Sequence, residues 1–211
     1  FYYIKYYYYN MAMKLNFSNL IQLGAAISPL LLSFFLVMLS AFNSDIKGIV
    51  YLGGVMIASL INFVIMNTLN IRMPGLVPPN CNLVEFPFNL NSYISPAFNT
   101  MYITFTLIYL LMPMVYMSTV NYPVIISILC ILVLDAVTKV LKGCTNFMGV
   151  LLGCMVGLVL GILWFIVFYA TNNKELLFFN VDASNKVMCS RPDKQTFKCR
   201  VYKNGELVST T

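Results

Sequence analysis

The stretch that decides the fold is FMGVLLGCMVGLVLGILWFIVFYA, residues 147–170, which contains no charged side chain. An apolar helix needs about 20 residues to cross the hydrocarbon core of a bilayer. Within this stretch, glycine recurs at every fourth position, at Gly149, Gly153, Gly157 and Gly161. Small residues at that spacing share one helix face and let another helix backbone approach closely. The stretch therefore predicts a membrane-spanning helix that packs tightly against a neighbour.

Four more segments have the length and apolar character of membrane spans. They cover residues 20–42, 48–69, 100–119 and 124–141. The last two are separated only by Asn121, Tyr122 and Pro123, so they should form an antiparallel hairpin. The predicted fold class is an all-α transmembrane helix bundle of about five spans with a small C-terminal β-hairpin tail.

The composition supports the membrane assignment and excludes several functions. Hydrophobic residues make up 60% of the chain and charged residues only 9%, whereas soluble proteins carry about 25% charged residues. Histidine is absent, which removes the commonest general base and the imidazole metal ligand. The six cysteines form no C-x-x-C pair, so we expect no metal site and no cofactor. The net charge of +6 is spread too thinly to indicate a nucleic-acid partner.

The sequence divides into an N-terminal segment 1–16, a transmembrane bundle 17–170 and a polar basic tail 171–211. The first ten residues, FYYIKYYYYN, precede the first methionine, Met11, and six of them are tyrosine. An AT-rich stretch of DNA would encode such a run. We therefore predict that residues 1–10 are upstream sequence translated in frame rather than native protein.

The tail differs in character from the rest of the chain. It carries seven lysines and arginines, and Asn204-Gly205 stands between two β-prone stretches, which is a typical β-hairpin signal. Cys189 and Cys199 would be free thiols in a reducing cytoplasm, or a disulfide in an oxidising compartment. The tail is also the candidate contact for a second copy of the chain or for another protein.

A proline-rich loop is predicted between the second and third spans, at residues 70–98. Its five prolines forbid a continuous helix. Because the loop is still fairly apolar, we expect it to lie at the membrane interface or cap the bundle, with a functional lid as the alternative.

The distribution of basic residues predicts the orientation. With five spans, the tail and the loop that holds Lys47 share one side, which then carries eight lysines and arginines. The opposite side carries Arg72, Lys139 and Lys142, together with the N-terminal Lys14 and Lys5. Basic residues favour the cytoplasmic side. A multi-pass protein with a cytoplasmic C-terminal tail is therefore expected.

Asp135 is the only acidic residue inside a predicted span. Placing an acid there costs roughly 2.5–3.5 kcal/mol on insertion scales. Lys139 follows one helical turn later, in the favourable order for an ion pair, and Lys142 lies on nearly the same face. One interpretation is an internal ion pair in which Lys139 reaches toward the interface. The other is that the two lysines hold an anionic head group while Asp135 positions them.

Three loop segments carry a resemblance to a known family. They are IRMP (71–74) after the second span, PAFN (96–99) before the third, and TKVLKGCTNFMG (138–149) between the fourth and fifth. In order, spacing and helix placement they resemble the three motifs of the type-2 phosphatidic acid phosphatase superfamily. The resemblance covers roughly residues 48–170, and the family's first helix has no counterpart.

The resemblance implies a scaffold without the family's catalytic groups. Thr145 stands where the family has its nucleophilic histidine, Asn99 where it has the acid-donating histidine, and Gly149 where it has the orienting aspartate. Of the phosphate-binding cations, Arg72 remains and Lys139 replaces an arginine. Neither Thr145 nor Asn99 can replace a nucleophilic ring nitrogen. The implied protein is a non-hydrolysing relative, a pseudo-phosphatase.

The leading hypothesis is a non-catalytic membrane protein, either structural or binding anionic lipids. Its partners would be membrane lipids. The candidate head-group residues are Arg72, Asn99, Lys139, Lys142 and Thr145. One alternative is a divergent lipid phosphate phosphatase with Thr145, Cys144 or Asp135 as nucleophile. Another is an unrelated structural component of a virion or host membrane, since the Asn-, Ile- and Tyr-rich composition is typical of AT-rich genomes such as those of large DNA viruses.

Overall fold

The computed structural model describes residues 17–71, 81, 95–179, 200–203 and 206–210. Several features predicted from the sequence lie outside these residues. They are the N-terminal segment 1–10, Arg72, most of the proline-rich loop, and the thiols or disulfide of Cys189 and Cys199.

Five long helices form the described part of the bundle. They are α1 (Phe17–Phe42), α2 (Lys47–Leu69), α3 (Phe98–Tyr116), α4 (Tyr122–Leu141) and α5 (Phe147–Ala170). All five are long and apolar enough to cross a membrane. The predicted all-helical bundle of five spans is confirmed, and these helices indicate a multi-pass integral membrane protein.

Polar residues set the helix boundaries. Asn121 precedes α4 and its side chain accepts a hydrogen bond from the backbone N–H of Val124 at 3.4 Å. Asn146 precedes α5 and accepts one from Gly149 at 2.7 Å. Both are N-caps, which satisfy backbone donors that a helix leaves unpaired. The third helix ends at Tyr116, three residues before the predicted Thr119, because a turn begins there.

A short 3-10 helix, Lys174–Leu176, follows α5. Further along, strands β1 (Arg200–Lys203) and β2 (Glu206–Thr210) pair antiparallel. The residues between the two strands and those that precede β1 lie outside the described part of the chain. A β-structured tail therefore stays a prediction.

Helix α3 is the most buried of the five and α4 the most exposed. The α3 side chains Met101, Phe105, Tyr109 and Met114 are fully buried in the core. In α4, by contrast, large apolar side chains such as Leu134 stay exposed. In a membrane such a face contacts lipid, so α4 lies at the edge of the bundle and α3 near its centre.

The glycine face of α5 packs directly on α3. The carbonyl oxygen of Gly149 accepts a hydrogen bond from the backbone N–H of Ala97 at 2.9 Å. A Cβ on Gly153 would lie 2.7 Å from the Ala97 oxygen, and one on Gly157 would meet the Met101 oxygen still more closely. All four glycines of the face, Gly149, Gly153, Gly157 and Gly161, are buried. The two backbones are in contact because these positions lack a side chain.

A group of hydroxyl side chains joins the first three helices. The Tyr51 hydroxyl on α2 lies 2.8 Å from Thr106 Oγ1 on α3 and 3.3 Å from Ser33 Oγ on α1. Ser33 also contacts the Tyr102 hydroxyl, and Thr106 donates to the Tyr102 carbonyl oxygen at 2.9 Å. In an apolar interior, hydroxyl groups need hydrogen-bond partners within the protein. The group therefore ties α1, α2 and α3 together.

Candidate functional site

The site predicted from the sequence lies at one end of the bundle. Successive helices run in opposite directions, so the first turns of α3 and α5 and the last turns of α4 come together. We call this the Asp135 end. The opposite end holds the turn between α1 and α2, with Asp45 and Lys47, and the segment that follows α5. There Lys47 Nζ lies 3.8 Å from an Asp45 carboxylate oxygen.

Asp135 is the centre of the polar cluster at its end. It is completely buried, with an exposure of 0%. The Lys139 ammonium lies 3.2 Å from Oδ1, and the Thr100 hydroxyl donates to Oδ2 at 3.2 Å. The Asn99 amide nitrogen is 3.5 Å from Oδ1 and 3.4 Å from the Ala26 carbonyl oxygen on α1. The carboxylate is thus compensated in place by one cation and two neutral donors, and the cluster spans α1, α3 and α4.

The two lysines differ from Asp135 in their exposure. The Lys139 side chain is 22% exposed, although the carboxylate that it contacts is not exposed at all. Part of the side chain therefore reaches the boundary of the bundle, while its ammonium lies 3.2 Å from the buried carboxylate. Lys142, one turn further, forms the C-cap of α4 and is partly exposed. The acid is inside the bundle, Lys139 is partly buried beside it, and Lys142 is partly exposed at the end of α4.

Helix ends add to the positive character of the Asp135 end. The N-terminus of a helix carries a partial positive charge, and its first backbone N–H groups have no partner within the helix. Both α3 and α5 begin here, side by side, with Ala97 bonded to Gly149. The C-terminus of α4 carries a partial negative charge, which Lys139 and Lys142 offset.

A disulfide that the sequence analysis did not predict lies at the same end. Cys81, from the segment between α2 and α3, is bonded to Cys144 in the turn between α4 and α5, with their Cα atoms 5.4 Å apart. Cysteine spacing alone cannot identify this pair, because the residues are 63 positions apart. One signal was available, since a five-span topology places both cysteines in loops on one side. As a disulfide sulfur, Cys144 has no thiolate with which to attack.

The structure places four of the five candidate head-group residues at the Asp135 end. Asn99 and Lys139 both contact the Asp135 carboxylate, Lys142 caps α4, and Thr145 is buried in the following turn at 7% exposure. Arg72 lies outside the described residues. Thr100 was missed, because nothing in the sequence distinguishes a threonine that faces an acid on another helix.

Comparisons with known proteins found no relative of this chain. No protein family, no curated protein and no solved structure matches this chain. The resemblance to the type-2 phosphatidic acid phosphatases therefore stays a prediction.

The described residues also limit the chemistry of the site. Within residues 17–71, 81 and 95–179, no group of three or more histidine, cysteine, aspartate or glutamate side chains could hold a metal ion. What the site does offer is a fixed arrangement of cations and helix N-termini. Such an arrangement can bind an anion.

Proposed function

We propose that this protein is a non-catalytic multi-pass membrane protein that binds the anionic head groups of lipids at its Asp135 end. The observation that carries the proposal is the geometry of the Asp135–Lys139 pair. The acid is completely buried while the lysine side chain keeps 22% exposure. The pair thus fixes a partly exposed lysine next to Lys142 at the end of α4.

The contacts that compensate the negative charge of Asp135 support binding of an anion nearby. An uncompensated carboxylate near Lys139 and Lys142 would repel a phosphate. Here Asn99 and Thr100 contact both carboxylate oxygens in addition to Lys139. Charge-assisted hydrogen bonds of this kind are stronger than neutral ones. They hold the acid charge inside the bundle and away from a ligand at the boundary.

The absence of histidine from the chain supports a non-catalytic role if the resemblance to the lipid phosphatases reflects ancestry. The positions that correspond to the two catalytic histidines are Asn99 and Thr145. Asn99 is engaged with Asp135 and the α1 backbone. An amide has no proton to give to a leaving group at neutral pH. On this proposal the scaffold still binds a lipid phosphate but does not cleave it.

The test is a lipid-binding measurement on the full chain in nanodiscs with short-chain phosphatidate. A lysine near an anionic membrane surface contributes about 1 kcal/mol. Lys142→Ala should therefore weaken binding roughly fivefold. Combining it with Asp135→Asn and Lys139→Met, which remove the buried pair together, should weaken binding further. The control is Lys174→Ala, which removes a lysine near the opposite end.

Unchanged phosphatidate affinity in the combined variant would refute the proposal. Equal losses from Lys174→Ala would also count against it, because they would show general charge attraction rather than a site. A neutral phosphatidylcholine probe should bind wild type and variants alike.

The enzymatic alternative is tested separately. With Cys144 in a disulfide, Thr145 and Asp135 are the remaining nucleophiles of those considered. A phosphatase would release inorganic phosphate from phosphatidate, and Thr145→Val would abolish the release. Under our proposal, neither wild type nor this variant releases phosphate above a protein-free control.

A purely structural role is favoured by a different observation. The Asp135 cluster connects α1, α3 and α4, so it would stabilise the bundle even without a ligand. The binding measurement distinguishes the two roles. A structural component would lose stability but no lipid affinity when the cluster is altered.

A further inference from the structure

We infer that the Asp135 end faces an oxidising, non-cytoplasmic compartment. This inference rests on the proposed function in one respect: it assigns the head group bound by Lys139 and Lys142 to the non-cytoplasmic leaflet. Two independent observations carry the orientation itself.

The first observation is the Cys81–Cys144 disulfide. It joins the segment between α2 and α3 to the turn between α4 and α5. Both cysteines therefore lie outside the spans and on the same side of the membrane. Disulfides persist in oxidising compartments and are rare in the cytosol, where thiols are kept reduced. The free thiols of the described residues, Cys130 and Cys154, lie inside α4 and α5 instead.

The second observation is the distribution of basic residues. Lys47 is the first residue of α2 at the end opposite Asp135, and the chain from residue 171 onward contributes seven lysines and arginines after α5. The Asp135 end carries Arg72, Lys139 and Lys142, and Lys14 and Lys5 precede α1 on that same side, which makes five basic residues against eight. Basic residues concentrate in cytoplasmic loops and flanks. The charge distribution therefore gives the same orientation as the disulfide, although neither depends on the other.

The position of the disulfide relates it to the proposed site. Cys144 is two residues from Lys142 and adjacent to Thr145. Its backbone N–H donates to the carbonyl oxygen of Lys139 at 2.9 Å. The turn that carries the cationic end of α4 is therefore covalently tied to the segment between α2 and α3. A head group reaching this turn must come from the leaflet on the disulfide side.

The experiment uses the full chain, with a C-terminal epitope, in sealed microsomes. The background carries Cys189→Ser and Cys199→Ser, so that no tail disulfide contributes. Free thiols are first blocked with N-ethylmaleimide in denaturant, and the protein is then reduced and treated with maleimide-polyethylene glycol. We expect two adducts, and none after Cys144→Ser. Absence of adducts in the background protein would overturn the inference.

Orientation is read in the same microsomes. A membrane-impermeant phosphine followed by an impermeant maleimide should label Cys81 and Cys144 only after detergent opens the vesicles. Protease added outside should remove the C-terminal epitope without detergent. Labelling in sealed vesicles, or a protected epitope, would overturn the inference. Neither result would affect lipid binding by purified protein in nanodiscs, where both faces are accessible, so the two proposals can fail separately.

Discussion

The two partners of the buried Asp135–Lys139 pair should differ in how much stability is lost when each is removed. Lys139→Ala leaves the Asp135 carboxylate at 0% exposure with no cation beside it. Removing one partner of a buried pair in this way costs about 3–5 kcal/mol. Asp135→Asn keeps the size of the side chain and leaves Lys139 unpaired instead. Because the Lys139 side chain is already 22% exposed, its ammonium can move to the interface, and we expect a loss of only about 1–2 kcal/mol.

Asp135→Asn with Lys139→Met removes both charges and leaves an amide that Thr100 and Asn99 can still contact. Replacing a buried pair with neutral groups of similar volume is often close to neutral, so we expect the double variant to lie within about 1 kcal/mol of wild type. Both single variants should then be less stable than the double variant or equal to it.

The assay is the free energy of unfolding of the full chain in bicelles, measured by steric trapping, with thermal unfolding in detergent as a second reading. The expected order of loss is Lys139→Ala first, then Asp135→Asn, then the double variant. The reasoning would be refuted if Asp135→Asn were as damaging as Lys139→Ala. It would also be refuted if the double variant were as unstable as Lys139→Ala, because the cost would then not come from an unpaired buried charge.

Three further predictions concern packing, hydroxyl contacts and the disulfide. Gly157→Ala should destabilise the bundle by about 1–3 kcal/mol, because a Cβ there meets the α3 backbone. Gly24→Ala is the control and should cost nothing, because a Cβ there meets nothing within 4 Å. Thermal unfolding of the two variants tests the difference. Tyr51→Phe should cost about 0.6–1.7 kcal/mol, which runs from the average to the largest value for hydrogen bonds between membrane helices. Tyr122→Phe, at an exposed position, serves as its control. Equal losses in the two variants would show that the contacts of the Tyr51 hydroxyl do not stabilise the bundle. Cys144→Ser should lower the unfolding midpoint. The loss of stability from the freed chain entropy is at most about 4 kcal/mol for a separation of 63 residues. Reductant should lower the midpoint of wild type but not of this variant.

The five spans could be predicted from the sequence with small errors at their ends. Residues 20–42 and 147–170 carry enough uninterrupted apolar length to specify a span without any knowledge of their neighbours. The break between α3 and α4 was also readable, because Asn121 and Pro123 are a capping residue and a first-turn residue by their local chemistry. The largest differences are the end of α3, at Tyr116 instead of Thr119, and the start of α1, at Phe17 instead of residue 20; α2, α3 and α4 begin one or two residues before the predicted starts.

The candidate site was only partly readable. The spacing of Asp135 and Lys139 predicts a contact because both residues lie on one helix, and helical geometry fixes their separation. Thr100 and Ala26 could not be predicted to belong to the same cluster, since they lie on other helices. Their approach depends on how α1, α3 and α4 pack.

The sequence by itself determined that the chain forms apolar spans, that one of them has a face of small residues, and that a single acid must be accommodated within the bundle. Each of these is a property of consecutive residues, because transfer into lipid and helical periodicity act over one segment at a time. Only the tertiary structure decided that α3 covers the glycine face and that Cys81 meets Cys144. Those contacts join segments far apart in the chain, and their partners are selected by shape and by the pairing of polar groups across helices.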